Sequence, residues 1–449
     1  MGMDYHLENN VVVNHILEEM YFKNWHPEGH RNMRGLELII SPRCNLKCKY
    51  CYINNFGHRL YPSKIYNEAK IIENTDIIID WLISNKYRPR LDLFSGEIFA
   101  QDLGHKVIEL IYEKYKRVQE DAKISYICVP TNFTFIQDKE LTDRVQSYID
   151  KFREIGIIFH LSASFDGKYM EQNRPYKANI DYDLNKPRDD EYYEKVFEFV
   201  KKNDCGLHPM VYSEGIELWK KNFLWFQGMM SKHGIDWRKI YLLQVRNAEW
   251  TRKQCKGLYD FVVWLTKWAF NKVGRNKEKY IDFLKCHPYG FNILKTTLGD
   301  NGRGLACSIQ SSLAVRLGDL ALVPCHRLMY ETQEYGRFIV ENGRITGIEA
   351  INPELLIGVV SHDFRSTAYC ITCSIRDLCS GGCLGSQYEI TGDPFTPIPT
   401  MCAMQHALAV GIIKGMLDIG VYSYAVELMT EPQIYQHELI RKELDKYGF

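Results

Sequence analysis

Six short apolar runs, at residues 36–40, 91–94, 124–129, 157–164, 207–212 and 240–245, alternate with amphipathic stretches, and this alternation restricts the fold most. Val107, Leu110, Ile111, Tyr115 and Val118 recur in steps of three and four, as do Val145, Tyr148, Ile149, Phe152 and Ile155. That spacing gives each set one helical face. Parallel strands need a crossover between neighbours, so strand and helix units in series predict an α/β fold with a parallel sheet. Six units fall short of the eight that close a barrel, and the expectation is an open, partial (β/α)6 TIM-like barrel.

Folds of this class bind ligands at the carboxyl ends of their strands. Chemistry-bearing residues collect there. The stretch SPRCNLKCKYC, with Cys44, Cys48 and Cys51 spaced C-x3-C-x2-C, follows the first run. Ser95-Gly96-Glu97 follows the second, Thr131-Asn132 the third and Ser164-Phe165-Asp166-Gly167 the fourth. A structural zinc or an electron-transfer cluster normally takes four protein ligands, so a compact trio implies a site with one position open.

The chain has 14 cysteines. Nothing at the N-terminus reads as a secretory signal, which makes metal ligation a better account of them than disulfides. Cys307, Cys325, Cys370, Cys373, Cys379, Cys383 and Cys402 crowd the last third. The set Cys370-x2-Cys373-x5-Cys379-x3-Cys383 opens with C-x2-C, which is also a zinc spacing. Cys128 and Cys205, in apolar runs, read as core packing. Lys+Arg and Asp+Glu balance at 56 each, so no nucleic-acid partner is expected. No run approaches the ~18 apolar residues of a membrane span, and the expected location is cytoplasmic, without a membrane partner.

Residues 176–193 read as a solvated surface insertion, and 258–270 and 281–294 as helices. The chain is then turn-rich and cysteine-rich until about residue 402, and helical pattern returns over 407–417. The expected organisation is an N-terminal helical segment (1–34), the partial barrel (35–250), a helical linker (251–300), a cysteine-rich domain (301–405) and a helical C-terminus (406–449). The aromatics of residues 20–25 are expected to cap the barrel.

C-x3-C-x-aromatic-C after a first strand, with a small-Gly-Glu turn after the second, resembles the radical SAM superfamily. The resemblance implies a [4Fe–4S] cluster on Cys44, Cys48 and Cys51, with the open position taken by the amino and carboxylate groups of S-adenosylmethionine. One electron then cleaves the sulfonium to a 5′-deoxyadenosyl radical, chemistry that belongs to the cofactor. By the same resemblance Tyr50 packs beside the adenine, Gly96 and Glu97 hold the methionyl ammonium, and Ser162, Ser164 and Arg174 are candidates for ribose and carboxylate contacts. The family usually has Gly-Gly-Glu-Pro where this chain has Ser95-Gly96-Glu97-Ile98. Glu97 keeps the charge an ammonium needs.

The C-terminal cysteines resemble the SPASM extension of peptide-modifying members. That pattern implies two auxiliary [4Fe–4S] clusters, three clusters in all. Cys307, Cys325 and Cys383 would serve one, with Cys286 as a candidate fourth ligand, and Cys370, Cys373, Cys379 and Cys402 the other. Gly318 is kept between the first two cysteines, with six residues before Cys325 where four are usual.

A deoxyadenosyl radical beside an electron sink suits net oxidation of a ribosomally made precursor peptide, by a carbon–carbon, carbon–oxygen or thioether crosslink. Formylglycine formation, as in anaerobic sulfatase maturases, and small-molecule dehydrogenation are the alternatives within enzymes. A non-catalytic electron carrier is the alternative outside them, although a carrier closes its cluster with four ligands. The maturases have an Asp after the second SPASM cysteine, and this chain has His326, either a base or a hydrogen-bonding neighbour of the site. The 34 residues before the first strand are too few for a winged-helix leader-binding domain, so a peptide's leader is expected to be held by another surface or by a separate leader-binding protein. A flavodoxin or ferredoxin is the expected electron donor.

Overall fold

The computed structural model describes residues 5–26, 35–55, 61, 64–178, 184–274, 276–279, 287–289, 309, 312–379, 381–427 and 429–446. The chain divides into two compact units. One comprises Met1–Ser164, Arg174–Cys205 and Cys307–Ser361, the other Phe165–Asn173, Gly206–Ala306 and His362–Phe449.

In the first unit, α1 (Tyr5–Met20) precedes β1 (Gly35–Ser41), followed by α2 (Glu68–Ser84), β2 (Arg90–Ser95), α3 (Asp102–Tyr115), β3 (Tyr126–Thr131), α4 (Lys139–Glu154), β4 (Ile158–Ala163) and α5 (Asp190–Asn203). β1 to β4 pair in parallel and in sequence order, as the alternation predicts. Asn67, Asp138 and Asp189 cap α2, α4 and α5 by accepting from the backbone N–H groups of Lys70, Leu141 and Tyr192. Such caps supply acceptors to orphan N–H groups and fix where each helix begins.

The last third adds to the same sheet. β5 (Leu313–Arg316) pairs in parallel with the other edge of β1, through Leu36 to Leu313 and Ile39 to Arg316. β6 (Ala321–Val323), β7 (Gly336–Glu341) and β8 (Arg344–Ala350) continue outward as antiparallel neighbours. The segment expected as one cysteine-rich domain, 301–405, is therefore divided, with its strands in the first unit and residues from His362 onward in the second.

The two faces of the sheet differ. Leu36, Leu38, Leu91, Leu93, Ile127, Val129, Phe159 and Leu161 are buried and alternate with a second set on the other face. That set includes Glu37, Asp92, Cys128 and His160, which lie in register across β1 to β4. Cys128 is only half-buried, beside Asp92. It belongs to this polar row and not to the apolar core expected for it.

Phe22 and Trp25 are buried after α1, with ring centroids 5.3 Å apart, and Trp25 lies 6.4 Å from Trp81 of α2. They close off one side of the first unit with an aromatic cluster. His105 on α3 is 4% exposed, with Nδ1 3.0 Å from Tyr148 Oη and Nε2 3.3 Å from the Phe99 carbonyl. Burial, then the charge of Arg144, lowers its pKa from 6.5 to about 4. Between those values the unfolded chain binds the proton and the folded one does not, so stability is lost as pH falls through 6.5. Between pH 7 and pH 5 the loss from this residue is about 2 kcal/mol. Urea unfolding of His105→Gln at both pH values should show a difference between them smaller by that amount; an unchanged difference would refute the assignment.

In the second unit, the expected strands 207–212 and 240–245 are shorter. The first is split into Gly206–Leu207 and Met210–Val211 around Pro209, which has no N–H for a ladder. The second is reduced to Leu243–Gln244, parallel to Met210–Val211. Its helices include α6 (Trp219–Lys232), α7 (Arg252–Val273) and α8 (Pro399–Asp418). The helix expected over 281–294 falls outside the described residues, apart from 287–289. Among the described residues α8 is long and apolar enough to cross a membrane by length and composition, against expectation, and 56% of that window is buried. It packs closely on α7, where a methyl added at Gly415 would lie 2.7 Å from Thr266 Cβ.

Candidate functional site

The residues after β1 form a loop tied down by its backbone. Lys47 N–H donates to the Pro175 carbonyl at 2.7 Å, and Lys177 N–H to the Asn45 carbonyl at 3.0 Å. Gly96 N–H donates to the Ser41 carbonyl at 2.8 Å and Glu97 N–H to the Arg43 carbonyl at 2.9 Å, which joins the exits of β1 and β2. Gly96 is required there, since a Cβ would stand 2.2 Å from the Arg43 oxygen and 2.6 Å from that of Pro42. Gly96→Ala is expected to displace the cysteine loop, because the added methyl cannot fit against the Pro42 and Arg43 carbonyls. Limited proteolysis of the loop tests this; a wild-type cleavage pattern would show that the close approach does not matter.

Cys44, Cys48 and Cys51 share this loop. Cys44 Sγ accepts from the Leu46 N–H at 3.3 Å and is 3.9 Å from Asn132 Nδ2. Burial first, then the neighbouring Cys48 and Glu97, raises the Cys44 pKa well above that of an ordinary thiol. Three thiols on one loop, one of them accepting an N–H donor, are a donor set that an iron–sulfur cluster could use.

Glu97 is 2% exposed. Its Oε2 accepts from Asn132 N–H at 2.6 Å, and its Oε1 from Thr131 Oγ1 at 2.8 Å and Phe99 N–H at 3.2 Å. Burial raises its pKa to about 7 against those bonds and the charge of Arg174. A nearby cation would restore its charge. Arg174 donates to the Ser164 carbonyl, while Ser162 lies in register with Pro130 two positions beyond the polar row. Tyr50 occupies the turn between Cys48 and Cys51.

Asn132 and Asn45 carry more of this site than their types suggest. Asn132 Nδ2 donates to Asn45 Oδ1 at 2.9 Å, and Asn45 Nδ2 to Thr134 Oγ1 at 3.0 Å. The signal was the position of Asn132 at the end of the third strand and of Asn45 inside the cysteine spacing.

His326 lies over the polar row. Its N–H and its Nδ1 approach Glu37 Oε2 at 2.9 and 3.1 Å, and its ring stacks on Phe94 at 3.8 Å. Nδ1–H donating to the carboxylate leaves Nε2 as the acceptor of the neutral ring. Cys325 precedes it in the first unit.

In the second unit Cys370, Cys373, Cys379 and Cys402 line one cavity of about 390 Å³. Cys379 Sγ accepts from Gly381 N–H at 3.3 Å. Burial foremost raises the Cys379 thiol to about 12 and the Cys402 thiol to about 11, with the other thiols adding to both. Cys383, at the start of the helix Leu384–Thr391, is absent from that lining. Cys286 and Cys307 lie outside the described residues. Among the described residues, no three His, Cys, Asp or Glu converge closely enough for a single metal ion. The cysteines of a cluster bind separate irons and need no such convergence.

No protein-family model matches the chain. An uncharacterized protein of Methanocaldococcus jannaschii is 28% identical over 149 residues, 32% of this chain and 43% of that protein, so the match spans less than half of its relative. Among solved structures, His6-tagged anSMEcpe with bound AdoMet aligns with a TM-score of 0.53 at 17% identity, covering 90% of this chain and 98% of that one. Native anSMEcpe with bound AdoMet and the Cp18Cys peptide aligns with a TM-score of 0.52 at 16% identity, covering 88% and 100%. The chain thus shares the α/β fold of these structures.

Proposed function

We propose that this protein is a radical SAM enzyme that binds a [4Fe–4S] cluster through Cys44, Cys48 and Cys51 and oxidatively modifies a ribosomally synthesised peptide. The observation that carries the reading is the open thiol trio, in a loop fixed by Gly96, Asn45 and Asn132 at the strand ends. When bound, cluster and S-adenosylmethionine supply the 5′-deoxyadenosyl radical. The chain's residues orient and shield. Glu97 and Arg174 offer opposite charges to the ammonium and carboxylate of the methionyl group, with Ser162, Ser164 and Tyr50 as further contacts. The polar row Glu37, Asp92, Cys128 and His160, with His326 above it, offers hydrogen-bonding groups to a substrate side chain. His326 would accept a proton through Nε2, with Glu37 holding its ring.

The anSMEcpe structures carry AdoMet and, in two cases, a peptide, which supports a peptide as the substrate class here. Auxiliary clusters on Cys370, Cys373, Cys379 and Cys402, and on Cys307, Cys325 and Cys383 with Cys286, would take up the electron left by oxidation. A flavodoxin or ferredoxin donor and a separate leader-binding protein complete the proposal.

Cys128 favours a second reading. A thiol in the polar row could return a hydrogen atom to a substrate carbon radical, forming C–H and breaking S–H, with the thiyl radical then reduced by the external donor. The product would be an epimer, without net oxidation.

Short peptides encoded beside the gene should be incubated anaerobically with enzyme, reductant and S-adenosylmethionine, in D₂O and in H₂O. Loss of about two hydrogens, dependent on Cys44 and Cys48, supports oxidative maturation. Unchanged composition with one solvent deuteron incorporated supports hydrogen return. Steady 5′-deoxyadenosine release with no peptide altered would direct the search to sulfatase or small-molecule substrates.

A further inference from the structure

Among the nitrogen donors that line the cysteine cavity of the second unit, two lie on α8, and ligation by four thiols leaves them unexplained. Cys402, Gln405 and His406 stand at i, i+3 and i+4 on α8, a spacing that puts them on one helix face. All three line the cavity with Cys370, Cys373 and Cys379. His406 Nε2 is 3.4 Å from Cys373 Sγ. Gln405 is 5% exposed, and its Nε2 meets no acceptor among the described residues. A buried amide N–H without a partner is costly. Gln405 lines a cavity bounded by four thiols, so an acceptor bound by those thiols would satisfy the amide.

We propose that Gln405 and His406 are positioning residues that donate hydrogen bonds to sulfur in an iron–sulfur cluster held by Cys370, Cys373, Cys379 and Cys402. His406 donates to the Cys373 thiolate, and Gln405 to a sulfide of the cluster. The inference rests on the auxiliary-cluster reading above. Reduction adds negative charge that spreads onto sulfur, so N–H donors stabilise the reduced state and raise the potential above that set by four thiolates alone. Cys-x2-Gln-His thus serves both ligation and tuning: the cysteine binds iron, and the next turn adjusts how readily the cluster accepts an electron.

The test uses full-length protein in which Cys44, Cys48 and Cys51 are alanine, so that the first-strand site contributes no signal. Adding Cys370→Ala identifies which iron and which electron paramagnetic resonance signal belong to the α8 cluster. In this background His406→Leu and Gln405→Leu should keep iron and sulfide at the parent level and lower the cluster's midpoint potential, further still when combined. Iron–thiolate stretching frequencies in the Raman spectrum should rise for His406→Leu, as a thiolate relieved of its hydrogen bond binds more strongly. His406→Asn, which keeps a donor, should recover part of the shift. Unchanged potentials at full iron content would overturn the proposal. Loss of iron in both His406→Leu and His406→Asn would make His406 a ligand and overturn the tuning role. Should Cys370→Ala remove no iron, the auxiliary-cluster reading itself fails.

Discussion

Replacing Cys44, Cys48 and Cys51 with alanine is expected to abolish reductant-dependent release of 5′-deoxyadenosine and to remove ~4 irons per chain. The loop itself should persist, because its anchors include the backbone bonds to Pro175 and Asn45 and the amide bond from Asn132 to Asn45, none of which uses sulfur. Activity and iron should therefore vanish while the far-ultraviolet dichroism stays that of the parent. Residual release at the wild-type rate would remove these cysteines from the mechanism. Unfolding on substitution would mean instead that the thiols or their metal hold the loop.

The second large effect concerns stability. Arg316, on β5, is fully buried. It donates to Asp319 at 2.9 and 2.6 Å, to the Met329 carbonyl at 2.9 Å and to Glu334. Arg316→Met leaves Asp319 and Glu334 with only the half-exposed Arg337 as a cation, 3.8 and 2.7 Å away, and the expected cost is about 3 kcal/mol. Converting Asp319 and Glu334 to neutral residues in the same variant should recover much of the loss, because the penalty comes from the stranded charges. Chemical unfolding of the single and triple variants measures both. A single-variant cost below about 1 kcal/mol would show that water reaches the carboxylates.

The legible parts of the sequence were those whose pattern is local. β1 to β4 follow from alternation and from turn residues at their ends, and the helices between them from steps of three and four. The fifth and sixth strands were over-extended, since Pro209 interrupts one and few residues of the other pair. The join between β5 and β1 was not legible, because nothing in Leu313–Arg316 specifies a partner so distant in sequence. Cys128 was misjudged for a related reason. In an apolar strand a small thiol reads as core, and only its register with Asp92 and His160 puts it in the polar row. The three cysteines lie on one loop, as their spacing requires, whereas Asn45 and Asn132 needed the fold to bring them together.

The pairing of β5 with β1 also bears on biosynthesis. The strand that leads into the Cys44 loop acquires its second neighbour only after Leu313–Arg316 has been made. At ~5–20 residues per second the ribosome takes on the order of 15 to 60 seconds to cover that interval. During this time β1 has an unpaired edge, a hazard for aggregation. Completion of the sheet around β1 is thus expected to follow translation of Leu313–Arg316, and truncations ending before β5 should accumulate as insoluble chains.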